Sequence, residues 1–298
     1  MSAASLLMRH AYYGNHPYGR PELGTAQSVN GLDRGDVQNY WHAALQPGNI
    51  VIAIYGNVDP VKVKEVVGFL FGNLQATPHP IPSLASASPP SAFVERDSDK
   101  LDISQAVLWY GFPGVSVSDP DRYALDVMSA ALSGADLPGG RLYQRLRDLQ
   151  LVYDSHSYSQ PGLDCGVFVV YAATTLANRD QVKQVIAEEL GKVRDQLIGQ
   201  DELDRAKSMC VASHAIDLQT NDAQARQIST DELYGLGFQD SASYAAHINA
   251  VTLADVQRVA QKYLRGDNSA LAVVEPVAAG ATAAPVVSAP ATLPPAGP

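Results

Sequence analysis

DVQNYWHAALQPGNIVIAI, residues 36–54, can be set over DVQRVAQKYLRGDNSALAV, residues 255–273, at one constant offset (255 − 36 = 219). Asp36, Val37 and Gln38 meet Asp255, Val256 and Gln257. Further on, Leu45 meets Leu264, Asn49 meets Asn268 and Ala53 meets Ala272. Both copies read in the same order as a helix, a turn and a strand, the pattern of an internal repeat. The second copy closes a unit that opens near residue 96, roughly 160 residues earlier, whereas only 35 residues precede the first copy. By this count the first unit lacks on the order of 120 residues.

The repeat organises the chain. Residues 1–76 read as the C-terminal remainder of a first domain. Within them, residues 3–14 end a helix, and Pro17, Gly19, Pro21 and Gly24 make a turn-rich loop. Residues 32–45 form a helix with Asp33 as N-cap and Asp36 at its third position. NIVIAIYGN (49–57) is a buried strand, and residues 59–74 form a helix whose apolar face is Val63, Val66, Val67 and Leu70. Residues 77–95 are a Pro/Ser/Ala-rich linker. The second domain, 96–276, has strands at 104–111, 151–159, 165–174 and 268–276. Its helices fall at 119–134, 139–150, several times between 178 and 250, and at 252–264. Residues 277–298 form an Ala/Pro-rich tail that composition marks as disordered. The fold class is therefore α/β (α+β), with two homologous domains whose sheets are covered by helices, the first incomplete.

Composition narrows the function. A chain of 298 residues with 46% hydrophobic and 17% charged residues is globular. A net charge of −10 argues against nucleic acid as a partner. No apolar run approaches the roughly 18 residues of a membrane span. Cys165 and Cys210 are too few for a disulfide framework or a thiolate zinc site.

Several stretches carry a resemblance: HPYGRPELGT (16–25), SVNGL (28–32), the helix opening at Asp36-Val37, QPGNIVIAIYGNVDP (46–60) and FLFGNL (69–74). Together with GGRLYQRLRDLQLVYDSHSY (139–158), their order and spacing resemble the pitrilysin/insulinase-type (M16) zinc peptidases. That family includes the mitochondrial processing peptidases and many bacterial zinc proteases. The resemblance spans about residues 5 to 275 and implies two homologous α/β domains facing each other as a clamshell around a peptide.

It also implies a zinc site. The family carries an inverted H-x-x-E-H on a helix of the first domain, with a distant glutamate as third ligand. No such motif occurs here. The ligands of the family lie upstream of the HPYG loop, so zinc is expected in the complete enzyme and none is expected on this chain. His10 and His16 are six apart with Gly14 between them, which is not the three- or four-residue spacing of one helical face. They read as scaffold: His16 hydrogen-bonds within its loop, and Tyr12, Tyr13 and Tyr18 pack against a sheet.

Arg147 and Tyr153 match the arginine and tyrosine that the family places in its second domain. The resemblance implies that they hold the peptide and stabilise the oxyanion formed when water attacks its carbonyl. Without it, the same residues read as an arginine on a solvated helix face and a tyrosine at a strand edge. GADLPGGR (134–141) lacks the Lys and Ser/Thr of a phosphate loop and reads as a helix-entry turn. Both cysteines read as buried thiols without a catalytic partner.

The reading is part of a zinc-dependent peptidase that supplies Arg147 and Tyr153 but no metal ligands. Its rivals are a naturally zinc-free partner subunit and a structural core-type subunit of the kind found in respiratory complexes. The expected partners are a peptide substrate and a missing N-terminal half or zinc-bearing partner chain. An incomplete first domain also favours association, a homodimer included. The two cysteines and the Ala/Pro tail are compatible with the periplasm.

Overall fold

The computed structural model of the protein describes residues 3–74, 86–100, 103–135 and 139–277. Residues 77–85 of the expected linker, the expected tail beyond Val277 and residues 136–138 of the helix-entry turn lie outside the described residues.

In chain order, α1 (Ala3–Tyr13), α2 (Ala26–Asn30), α3 (Arg34–Ala44) and α4 (Pro60–Phe71) come first. The strands β1 (Val94–Lys100) and β2 (Ala106–Pro113) follow, then α5 (Asp121–Ser133) and α6 (Arg141–Asp148). A hairpin of β3 (Val152–Gln160) and β4 (Val167–Thr174) leads to α7 (Arg179–Asp195) and α8 (Gln200–Asp217). The chain continues through α9 (Asn221–Leu233), α10 (Asp240–Ala250) and α11 (Leu253–Tyr263) into β5 (Ala270–Pro276). The strands form one sheet in the order β1-β5-β2-β4-β3, with β1 parallel to β5 and every other pair antiparallel. The mixed α/β class expected from the sequence is the class observed.

One expectation about the linker needs correction. Val94 and Glu95 already pair with Ala270 and Leu271, so the sheet starts before residue 96. VERDSDK carries no apolar alternation because β1 is an edge strand, and edge strands tolerate charge on both faces.

The two faces of the sheet are covered differently. Leu108, Phe112, Phe168, Val170, Leu271 and Val273 point into the helical layer, against Leu125, Met128 and Leu132 of α5, Ile186 of α7 and Val259 of α11. The opposite face is covered in part by α1, which the sequence placed with the first domain. Met8 and Tyr12, one helical turn apart, pack on Val167, Val169, Ala270 and Ala272. Gly111 makes this approach feasible, because a methyl group on it would land on the Met8 Sδ. Arg9 fastens the following loop: its Nε donates to the Tyr18 carbonyl at 2.7 Å, and its Nη1 pairs with Glu22 at 2.8 Å.

The repeat holds bond for bond up to its strand. Asp33 and Asp36 form a capping box at the start of α3, and Thr252 and Asp255 form one at the start of α11. Both helices end on a leucine of nearly equal backbone angles, Leu45 (φ −78°, ψ 66°) and Leu264 (φ −80°, ψ 57°). A 3-10 turn follows each, Pro47–Asn49 and Gly266–Asn268. There the copies part. Residues 270–276 are β5, but the strand expected at 49–57 is not formed: residues 50–55 carry no regular structure. A strand exists only through a neighbour's backbone, and among the described residues none lies alongside this segment. Ile52 and Ile54 are 44% and 49% exposed, while their equivalents Leu271 and Val273 are buried. Trp41 is 60% exposed where Ala260 is buried. α2, α3 and α4 bury no residue, and on the expected apolar face of α4 Val66 and Leu70 are open to solvent while Val63 and Val67 are half-buried.

Candidate functional site

α6 and β3 place Arg147 and Tyr153. Leu142 and Leu146, four apart, anchor α6 in the core and leave Arg147 on the exposed side of its last turn. The helix is stopped by Leu149 and by Gln150, which takes a left-handed φ of 54°. The Gln150 amide donates to the Arg147 carbonyl at 2.9 Å, and the Leu151 amide to the Leu146 carbonyl at 3.0 Å, so the chain turns directly into β3. The Thr174 hydroxyl donates to the Leu151 carbonyl and fixes the entry.

β3 opens with a bulge. Val152 pairs with Thr174 and Asp154 with Ala173, which leaves Tyr153 as the extra residue. Its side chain is 58% exposed. The Arg147 Nη1 donates to the Val152 carbonyl at 3.4 Å. That carbonyl belongs to the peptide bond joining Val152 to Tyr153, so the structure brings the two expected residues to one junction. Both side chains are exposed to solvent.

Beyond the bulge, on the sheet face that carries α1, an open groove of about 480 Å³ lies beside the helix. Val107, Trp109, Asp154, His156, Tyr158 and Tyr171 line it. They share a face because alternate residues of a strand do, and because His156 is registered with Tyr171 and Trp109 with Tyr171. The Tyr171 ring is met edge-on by Trp109 at 4.9 Å between centroids and stacked on by His156 at 6.3 Å. His156 Nε2 lies 2.9 Å from Asp154 Oδ1. Burial, then the Asp154 charge, push the Tyr171 hydroxyl above its ordinary pKa, so it stays protonated. Sequence reasoning missed this groove. The Asp154-x-His156 spacing was visible, but Trp109 and Tyr171 join it only through the register of three strands.

His16 is tied into its own loop. His16 Nδ1 accepts from the Tyr18 amide at 3.2 Å. Tyr12 is buried on the sheet, Tyr13 packs beside it, and the Tyr18 hydroxyl accepts from the Leu163 amide at 3.0 Å. The described residues do not fit a zinc site. The sequence contains no H-x-x-E-H, and among the described residues no three His, Cys, Asp or Glu side chains converge. Burial and then the Asp164 charge push the Cys165 thiol up to about 11, which is the opposite of an activated thiolate. Among the described residues no helix is long and apolar enough to cross a membrane.

Comparison with known proteins agrees with this architecture. An uncharacterized zinc protease of Streptomyces coelicolor is 29% identical over 277 residues, covering 91% of this chain and 60% of that protein. The chain thus spans about three-fifths of that relative's length. A protease from Helicobacter pylori superposes with a TM-score of 0.80 at 21% identity, over 91% of this chain and 65% of that one. A chain in the structure of complex III2 from Candida albicans superposes with a TM-score of 0.79 at 21% identity, over 91% and 66%. At these identities the two structures speak for the fold alone. Residues 31–210 match the family described as the peptidase M16 inactive domain, more than half of the sequence, and the chain belongs to the M16 peptidase family.

Proposed function

We propose that this chain is the substrate-holding portion of a zinc-dependent M16 peptidase. The observation that carries the proposal is the junction at which the Arg147 side chain reaches the Val152–Tyr153 peptide, next to an open groove. In the complete enzyme, zinc held elsewhere would supply an activated water. The work of this chain is to bind and orient the peptide. Arg147 offers a permanent cation with a planar fork, and Tyr153 a hydroxyl donor, to a carbonyl that gains negative charge. The relatives named as zinc proteases support the reaction class.

The bare surface of α3, α4 and residues 50–55 supports the second half of the proposal. Its occupant is an N-terminal half or a zinc-bearing partner chain that brings a sheet. By the repeat, residues 50–55 then form a strand flanked on both sides, as β5 is by β1 and β2. A first domain within 1–76 and a second that opens at β1 are completed in this way, and a periplasmic location belongs to the same proposal. A natural partner subunit and a fused enzyme differ only in whether the zinc ligands share the reading frame.

The test is kinetic. In the complete enzyme, or with a zinc-bearing partner, Tyr153→Phe is expected to lower kcat by roughly ten- to a thousandfold with a smaller change in KM. Arg147→Lys keeps the charge, loses the fork and is also costly. Both variants keep the melting temperature, since neither side chain is buried. The chain alone, after dialysis, is expected to hold no stoichiometric zinc and to cleave no quenched peptide. Unchanged turnover in Tyr153→Phe would refute the role, and one tightly held zinc per chain would refute the division of labour.

A further inference from the structure

β4 is an interior strand, with β2 on one side and β3 on the other. It is apolar from Val167 to Ala173 and ends on Thr174, which is wholly buried. Valine has nearly the shape of threonine, so packing alone does not ask for the hydroxyl. Thr174 pairs with Ala106 of β2 and with Val152 of β3, where both ladders end. Leu151 lies one residue beyond the β3 ladder. Its amide donates back to the Leu146 carbonyl at 3.0 Å, and its carbonyl accepts from the Thr174 hydroxyl. The next carbonyl, that of Val152, accepts from Arg147 Nη1 at 3.4 Å. Two successive carbonyls ahead of Tyr153 are thus held by side-chain donors, one from the core and one from the surface. A peptide group is planar, so holding its carbonyl orients the whole unit between neighbouring Cα atoms. The ladder resumes at Asp154 and Ala173. Tyr153, the extra residue of the bulge, takes its direction from the two planes that precede it.

Resting on the peptide-holding reading above, we propose that Thr174 is a positioning residue for Tyr153: by holding the Leu151 carbonyl, its buried hydroxyl sets the direction in which the bulge presents the phenol. Thr174 has no exposed surface and touches no substrate, so it acts only through the backbone of residues 151–153. The two holds are unequal. Arg147 reaches its carbonyl from an exposed side chain over a long bond, whereas Thr174 is fixed by strands on both sides. Removing the Thr174 hydroxyl leaves a buried carbonyl without its donor, and the chain regains a partner only by turning the plane ahead of Val152. That rotation passes to Tyr153 with little change in the core. A donor displaced by about 1 Å from a developing charge is enough to slow a reaction markedly.

The experiment has one arm on the chain itself and one on the complete enzyme. The chain is labelled with 3-fluorotyrosine, and the fluorine resonance of Tyr153 is identified by its loss in Tyr153→Phe. Thr174→Val is expected to shift or split that resonance while leaving the other tyrosine resonances in place, and Thr174→Ser to restore the original one. If Thr174→Val does not fold, Thr174→Ala carries the same expectation. In the complete enzyme, Thr174→Val is expected to lower kcat roughly ten- to a hundredfold with a smaller change in KM. Thr174→Ser restores turnover, and in a Tyr153→Phe background Thr174→Val costs nothing further, because both changes remove the same contact. Three outcomes overturn the proposal: a Tyr153 resonance unmoved by the loss of the hydroxyl, a failure of serine to restore it, or kinetic effects of the two substitutions that simply multiply. If the resonance is unmoved and Tyr153→Phe still lowers turnover, the positioning role fails and the peptidase reading stands. If the resonance moves, serine restores it and Tyr153→Phe leaves turnover unchanged, Thr174 sets the bulge and the peptidase reading fails.

Discussion

At the scale of single residues, two aspartates on α5 respond to pH in opposite directions. Burial would raise Asp121, but donors from Lys262, Arg258 and Tyr263 at 2.7–2.8 Å outweigh it and hold its carboxyl at about 2. Its folded pKa lies below the ordinary value, so its stabilisation is present above about pH 4 and is lost as pH falls toward 2. Asp126 is the reverse. Burial pushes it up to about 6, against the Tyr244 hydrogen bond and the Arg122 charge. Its folded state holds a proton more tightly, so stability falls as pH rises from about 4 to 6. Asp121→Asn is expected to cost about 1–2 kcal/mol at pH 7, a figure reduced for its half-exposed cationic partners. Asp126→Asn is expected to gain about 2 kcal/mol at pH 7 and to remove the decline between pH 4 and 6. Urea unfolding of both variants from pH 3 to 8 measures each window separately. A common pH profile for the two variants would contradict the assignment.

At the scale of elements, caps and turns were legible and pairing was not. The capping residues Asp33 and Thr252, the stop of α5 at Gly134 and the hairpin turn after Gln160 depend on a few neighbours in sequence. Helix limits could therefore be read to within two or three residues. Strand formation depends on distant backbone. NIVIAIYGN is a better strand by composition than VERDSDK, yet VERDSDK is paired and NIVIAIYGN is not. The site shows the same division. Arg147 and Tyr153 could be located from a local motif, whereas Trp109, Tyr171 and His156 needed the register. Hydrogen exchange tests the pairing argument directly. Amides of residues 50–55 are expected to exchange at nearly free-chain rates here, and those of residues 271–274 at rates set by global unfolding. Supplying the missing sheet, fused or as a partner, should slow residues 50–55 by at least about a thousandfold. Strong protection of 50–55 in the chain alone would mean that the segment already has a partner.

At the scale of the whole molecule, one region has a closed core and another has almost none. Val37, Tyr40, Trp41, Ile52, Phe69 and Leu70 are all open to solvent. Such a surface exceeds what monomers ordinarily tolerate. Sedimentation is expected to show association that grows with protein concentration and recedes when Trp41 and Phe69 are both replaced by Glu; a concentration-independent monomer would contradict this. The order β1-β5-β2-β4-β3 carries a separate consequence for biosynthesis. The last strand to be made is not an edge addition but an insertion between β1 and β2, two of the earliest. On the ribosome, the helical layer and the β3–β4 hairpin can condense as they emerge, yet the sheet keeps a slot one strand wide until residues 270–276 leave the tunnel. A nascent chain halted before that point displays two unsatisfied backbone edges facing each other, so residues 270–276 must be made before this domain can become resistant to chaperones and proteases.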